Sequence, residues 1–154
     1  MAKRGVGRIT SGGGGSFALI PVADLISLGA GDAGEMRLDV EVLTPDRLVR
    51  YLSRQVPPSF LVDLADAYLA AAVHPHPETE IASVQSEEAG VSVQFVASDE
   101  FTVDVEVLVV IDPDDDLLEH DGVSLDVSRA ALVDASHELH AAVEGFLADV
   151  EALR

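Results

Sequence analysis

Asp112, Asp114 and Asp116 stand at alternate positions, the spacing of the first oxygen ligands in an EF-hand calcium loop. The rest of that loop departs from the pattern. Its sixth position, which must turn sharply and is normally Gly, is Leu117, and its twelfth, normally a bidentate Glu, is Val123. No metal site is therefore assigned, and these three aspartates are the nearest the chain comes to one. The histidines offer pairs only. His74 and His76 flank Pro75, and His137 and His140 lie three apart, one residue short of the His-Glu-x-x-His spacing of metalloproteases. Two imidazoles alone do not make a catalytic zinc site.

Nucleophilic chemistry lacks its parts as well. There is no cysteine, so thiolate catalysis, disulfides and thiolate-held metals are excluded. No Gly-x-Ser-x-Gly elbow is present. With 28 acidic residues, paired carboxylates arise by abundance and carry no information. Neither a catalytic residue nor a cofactor is expected.

Charge is the informative feature. The formal net charge is −19, from 9 basic and 28 acidic residues. No Lys or Arg occurs between Arg54 and Arg129, whereas 17 acids do. These acids must be solvated, hold cations or face a basic partner. They are densest from Asp99 to Asp121, where Asp99, Glu100, Asp104, Glu106, Asp112, Asp114, Asp115, Asp116, Glu119 and Asp121 make 10 acids in 23 residues. Nucleic-acid binding depends on Lys and Arg at the phosphates and is not expected of such a surface. The same acidity also serves solubility, whatever its other use. Arg47, Arg50 and Arg54 are the basic exception. They follow one another at i, i+3 and i+7 beside Tyr51, and read as a helical stripe that contacts an anion or pairs with the chain's own acids.

The elements that carry these residues follow from periodicity. Residues 1–16 end in Ser11-Gly12-Gly13-Gly14-Gly15-Ser16, the composition of a flexible linker, and are expected to be a disordered tail. The remainder, 17–154, is expected to be one domain. Phe17–Ile20 reads as a strand. Met36–Leu43 alternates apolar and polar residues, as a strand with one wet face does. Thr44-Pro45 suggests a helix N-cap and first turn, so a two-part middle helix is predicted, broken at Val56-Pro57-Pro58 and resuming from Ser59 to Val73. Thr79–Ser86, Val91–Ala97 and Phe101–Ile111 then form an antiparallel meander. Phe101 shares a core face with Val103 and Val105, and Leu108 and Val110 are covered from the other side. Val123–Val127 is a short edge strand. A helix from Ser128 to about Ala152 carries Leu132, Ala135, Leu139, Val143, Phe146, Val150 and Leu153 on one stripe. The expected fold is α+β, with about five antiparallel strands in the order β-β-α-β-β-β-α and the C-terminal helix packed on one face.

No apolar run reaches the roughly 18–20 residues of a membrane span, and no apolar stretch of signal-peptide length follows the basic residues of Met1–Arg8. A cytoplasmic protein without membrane association is expected. The functional expectation is a non-catalytic acidic module of the adaptor, immunity, antitoxin or chaperone kind that engages a basic protein. Two alternatives are a divalent-metal or small-ligand protein using the Asp112–Asp121 loop, and a homodimer or larger assembly joined through the C-terminal helix.

Overall fold

The computed structural model describes residues 5–21, 36–73, 82–87, 89–98, 101–111 and 119–152. The chain is α+β. Four strands, β1 (Val6–Thr10), β2 (Ser16–Pro21), β3 (Met36–Leu43) and β4 (Leu48–Val56), are followed by α1 (Pro58–Val73). Four more, β5 (Ala82–Ser86), β6 (Val91–Ser98), β7 (Thr102–Val110) and β8 (His120–Ser128), are followed by α2 (Arg129–Ala152). Each set of four forms an antiparallel meander, sheet A in the order β1-β2-β3-β4 and sheet B in the order β5-β6-β7-β8. Among the described residues the fold thus repeats a four-strand-plus-helix unit that is not visible as a sequence repeat.

Two of the expected elements change. The glycine-rich segment is no tail among the described residues. Val6–Thr10 is a strand, Ile9 is fully buried, and Ser11–Gly15 is the turn into β2. The Ser11 N–H donates to the Gly15 carbonyl at 2.7 Å, and Gly14 has a φ of 100°, which suits glycine. Gly15 sits so close to Leu125 that an added Cβ would meet its Cδ2 at 3.0 Å. The glycines therefore serve a tight turn against a neighbouring strand.

The first half of the expected middle helix is strand β4. Thr44-Pro45 starts a hairpin turn, in which the Thr44 N–H donates to the Arg47 carbonyl at 2.8 Å and the Arg47 N–H donates to the Thr44 hydroxyl at 3.2 Å. Pro fits the second position of such a turn as well as it fits the first turn of a helix. Beyond it, Val40 pairs with Tyr51 and Leu38 with Arg54, so β4 carries one extra residue there. That bulge breaks the period of two and places Tyr51 and Arg54, three apart, both on the inner face. Three-residue spacing is also what a helix would give.

The core is one cluster fed by both sheets and both helices. It includes Phe17, Leu19 and Val40 from sheet A, Val93, Phe95 and Val105 from sheet B, Leu64 and Tyr68 from α1, and Leu132 and Leu139 from α2. The helices run antiparallel. The Ser136 hydroxyl of α2 donates to the Ala65 carbonyl of α1 at 2.7 Å, and the Arg129 guanidinium donates to the carbonyls of Ala71 and Ala72 at 3.1 and 3.0 Å. Arg129 thereby satisfies carbonyls that the end of α1 leaves without helical partners. Each helix also lies against the first strand of the sheet that does not immediately precede it, α1 on β5 and α2 on β1. The apolar stripe of α2 is thus filled from within the chain, at least from Leu132 to Val143.

Candidate interaction face

In sheet B the alternation expected of a strand with one wet face is clean on β7. Val103, Val105, Val107 and Val109 are buried, and Asp104, Glu106 and Leu108 point out. β8 repeats it with Leu125 and Val127 inside and Ser124, Asp126 and Ser128 outside. Register brings the outer residues into rows. Asp104 pairs directly with Asp126, Glu106 with Ser124, and Leu108 with Gly122. On the other side of β7, Glu106 pairs with Gln94 and Leu108 with Ser92. No Lys or Arg belongs to any strand of this sheet, and none of Asp104, Glu106 and Asp126 has a basic side-chain partner among the described residues.

The outer face is not flat. A hollow of about 690 Å³ is bounded by Gln85, Glu87, Ser92, Leu108, Val110 and His120. A second, of about 280 Å³, is bounded by Ser11, Val96, Asp104, Glu106, Ser124 and Asp126. Leu108, expected to be covered, is 42% exposed. Phe101, expected in the core, is 72% exposed at the start of the hairpin arm.

The acidic residues singled out from the sequence divide into four groups. Asp104 and Glu106 lie together on the outer face of β7. Asp99, Glu100, Asp112, Asp114, Asp115 and Asp116 lie outside the described residues. Glu119 is exposed just before β8, and its carbonyl accepts from the Ile111 N–H at 2.8 Å. Asp121 is engaged internally. It accepts from the Arg47 guanidinium at 2.8 Å and from the Tyr51 hydroxyl. The Tyr51 bond, opposed by partial burial and reinforced by Arg47, holds the Asp121 carboxyl below the usual carboxylate range. Burial and the adjacent carboxylate push the Tyr51 hydroxyl well above its usual value.

The three arginines do not form one face. Arg47 lies in the turn and pairs with Asp121. Arg50 points out from sheet A and meets Glu41 at 3.0 Å. Arg54 is 8% exposed on the inner side, stacked 5.4 Å from the Tyr51 ring centre. It donates to the carbonyls of Ala89, Val110 and Ile111 at 2.8, 2.9 and 3.0 Å. One guanidinium fork thus ties sheet A to the turn before β6 and to the end of β7.

Sequence reasoning missed the Glu41 cluster on the outer face of sheet A. Arg8 meets Glu41 at 2.9 Å from one side and Arg50 from the other. Burial alone would raise the Glu41 carboxyl, but the two arginines outweigh it and hold the group below its usual range. The alternation of Arg37, Asp39 and Glu41 was legible; the partners, from strands 33 and 9 residues away, were not. Among the described histidines, His140 lies 3.3 Å from Asp66 and His137 is exposed. Among the described residues, no three His, Asp or Glu side chains converge as metal ligands, and no helix is long and apolar enough to cross a membrane. Compared with known proteins, the chain matches no protein-family model and no curated sequence.

Proposed function

We propose that the chain is a non-catalytic protein-interaction module that engages a basic protein through the outer face of sheet B. The observation that carries this reading is the direct opposition of Asp104 and Asp126 across β7 and β8, with Glu106 next to them and no Lys or Arg in any strand of the sheet. Like charges directly opposite destabilise a sheet. A single Lys in place of Ser124 would relieve them, and a face kept only for solubility gains nothing from concentrating the repulsion. A basic partner would turn the repulsion into attraction, speeding association and fixing orientation.

The competing readings draw less support. The helical seam needed for a dimer is occupied by α1 and β1 from Leu132 to Val143. Of the proposed metal loop, Asp121 is already committed to Arg47 and Tyr51.

The test is titration of the protein with an oligo-lysine peptide at low and high salt, beside the variant Asp104→Asn/Glu106→Gln/Asp126→Asn. Binding that weakens with salt and is lost in the variant is the expected result. Equal binding by both proteins, or by neither, would remove sheet B from the proposal.

A further inference from the structure

The two hollows on sheet B lie end to end along β7. Leu108 and Val110 face the larger, and Asp104 and Glu106 face the smaller. The larger has an apolar floor. Leu108 lies over Gly122, where an added Cβ would come within 3.0 Å of Leu108 Cδ2, so the glycine leaves the leucine room to lie across the sheet. Exposed Leu108 and half-buried Val110 thus offer aliphatic surface at one end of a strand whose other end is acidic. Same-face side chains on a strand repeat every two residues, about 7 Å. Glu106 therefore stands about 7 Å from Leu108 and Asp104 about 14 Å.

The geometry points to an extended segment of the basic partner, laid along the outer face of β7, with one aliphatic side chain in the Leu108 hollow and Lys or Arg at the second and fourth residues beyond it. The two basic groups face Glu106 and the Asp104–Asp126 pair. This inference rests on the function proposed above and adds a pattern to it, aliphatic-x-basic-x-basic in either chain direction. The division of labour follows from the physics. Exposed charges steer and orient the partner but contribute modestly to affinity at physiological salt, whereas an aliphatic group leaving water contributes in proportion to the area buried. Charge selects a basic segment, and the hollow selects which one.

Two short peptides of equal charge, one Leu-Ser-Lys-Ser-Lys within a Gly/Ser frame and the other with Ser for Leu, test it by fluorescence titration at low salt. The leucine peptide is expected to bind roughly tenfold more tightly, the effect of burying one leucine side chain. Leu108→Ser is expected to abolish that difference, and circular dichroism checks that the variant folds. Leu108→Ala, a milder truncation, should give an intermediate ratio. Equal binding of both peptides to the wild type would overturn the aliphatic hollow while leaving the basic-partner reading intact. Binding of neither would overturn both. A second copy offers similar chemistry on β4, where Leu48 and Leu52 are exposed on either side of Arg50. Self-association in sedimentation velocity that Leu108→Ser abolishes would overturn the foreign-partner assignment in favour of that copy.

Discussion

The Tyr51 hydroxyl donates a hydrogen bond to the Asp121 carboxylate and so ties the edge strand of sheet A to the start of β8 in sheet B. A bond to an ionised group contributes more than a neutral one, so Tyr51→Phe should lower stability by about 1–2 kcal/mol at neutral pH. The pH dependence separates this from lost packing. Asp121 is held below the usual carboxylate range in the folded state, so its contribution is present above about pH 4 and is lost as pH falls through its native value. Denaturant unfolding at several pH values should show the gap between wild type and Tyr51→Phe closing over that range. A gap that stays constant into acid would mean that the ionised carboxylate is not involved.

How much of this was legible depended on whether the signal was local. The buried valines of β7 and the apolar stripe of α2 could be read because alternation and helical spacing are written along a single segment. The α+β class followed from them. β4 could not be read, because Thr44-Pro45 suits a hairpin turn as well as a helix start and the bulge beyond it breaks the period of two, and β1 could not, because the glycines that follow it look like a linker until Leu125 is brought against Gly15. The candidate face was half legible. Asp104 and Glu106 stood out as acids alternating with valines, but Asp126 gained meaning only when register set it against Asp104. The arginines that hold Glu41 and the core of the molecule come from different strands, and no local pattern predicts such pairings.

The Arg8–Glu41–Arg50 cluster should respond asymmetrically. The Glu41 side chain is 8% exposed and those of Arg8 and Arg50 are 40% and 51% exposed. Replacing Glu41 with Leu frees two arginines that water can solvate, and should change stability by less than about 1 kcal/mol. Replacing both arginines with Ala leaves a nearly buried carboxylate without cations, and should cost about 2–4 kcal/mol. Thermal melts of the two variants at neutral pH decide it; equal losses would show that Glu41 is better solvated than its burial implies.

Tyr68 points the other way. Its ring is fully buried and meets Phe95 edge-on, with centroids 5.6 Å apart, but its hydroxyl has no hydrogen-bond partner among the described residues. A buried hydroxyl left without a partner costs about 1–3 kcal/mol. Tyr68→Phe keeps the ring contact and removes that cost, so the denaturation midpoint should rise. A fall would mean that the hydroxyl is bonded in solution.

At Gly7, α2 packs closely against sheet A. This glycine sits in a bulge of β1 with φ at 64°, and an added Cβ would lie 2.7 Å from two atoms of Leu139. Its N–H donates to Glu138 at 3.1 Å. Gly7→Ala imposes both left-handed strain and a collision, and should destabilise by about 2–4 kcal/mol. Adding Leu139→Ala relieves the collision but not the strain, so the double variant should be more stable than the sum of the single losses predicts.

The Asp104–Asp126 pair gives the prediction that separates structure from use. If the face existed for stability, neutralising it would be harmful or neutral. Because the two carboxylates oppose each other in register, Asp126→Asn should instead stabilise the fold by a few tenths of a kcal/mol, up to about 1. The same change removes one of three acids from the proposed partner surface and should weaken oligo-lysine binding, with a shallower salt dependence. Greater stability combined with weaker binding is the signature of a residue retained for a partner. Greater stability with unchanged binding would instead leave Asp126 outside that surface and restrict the face to Asp104 and Glu106.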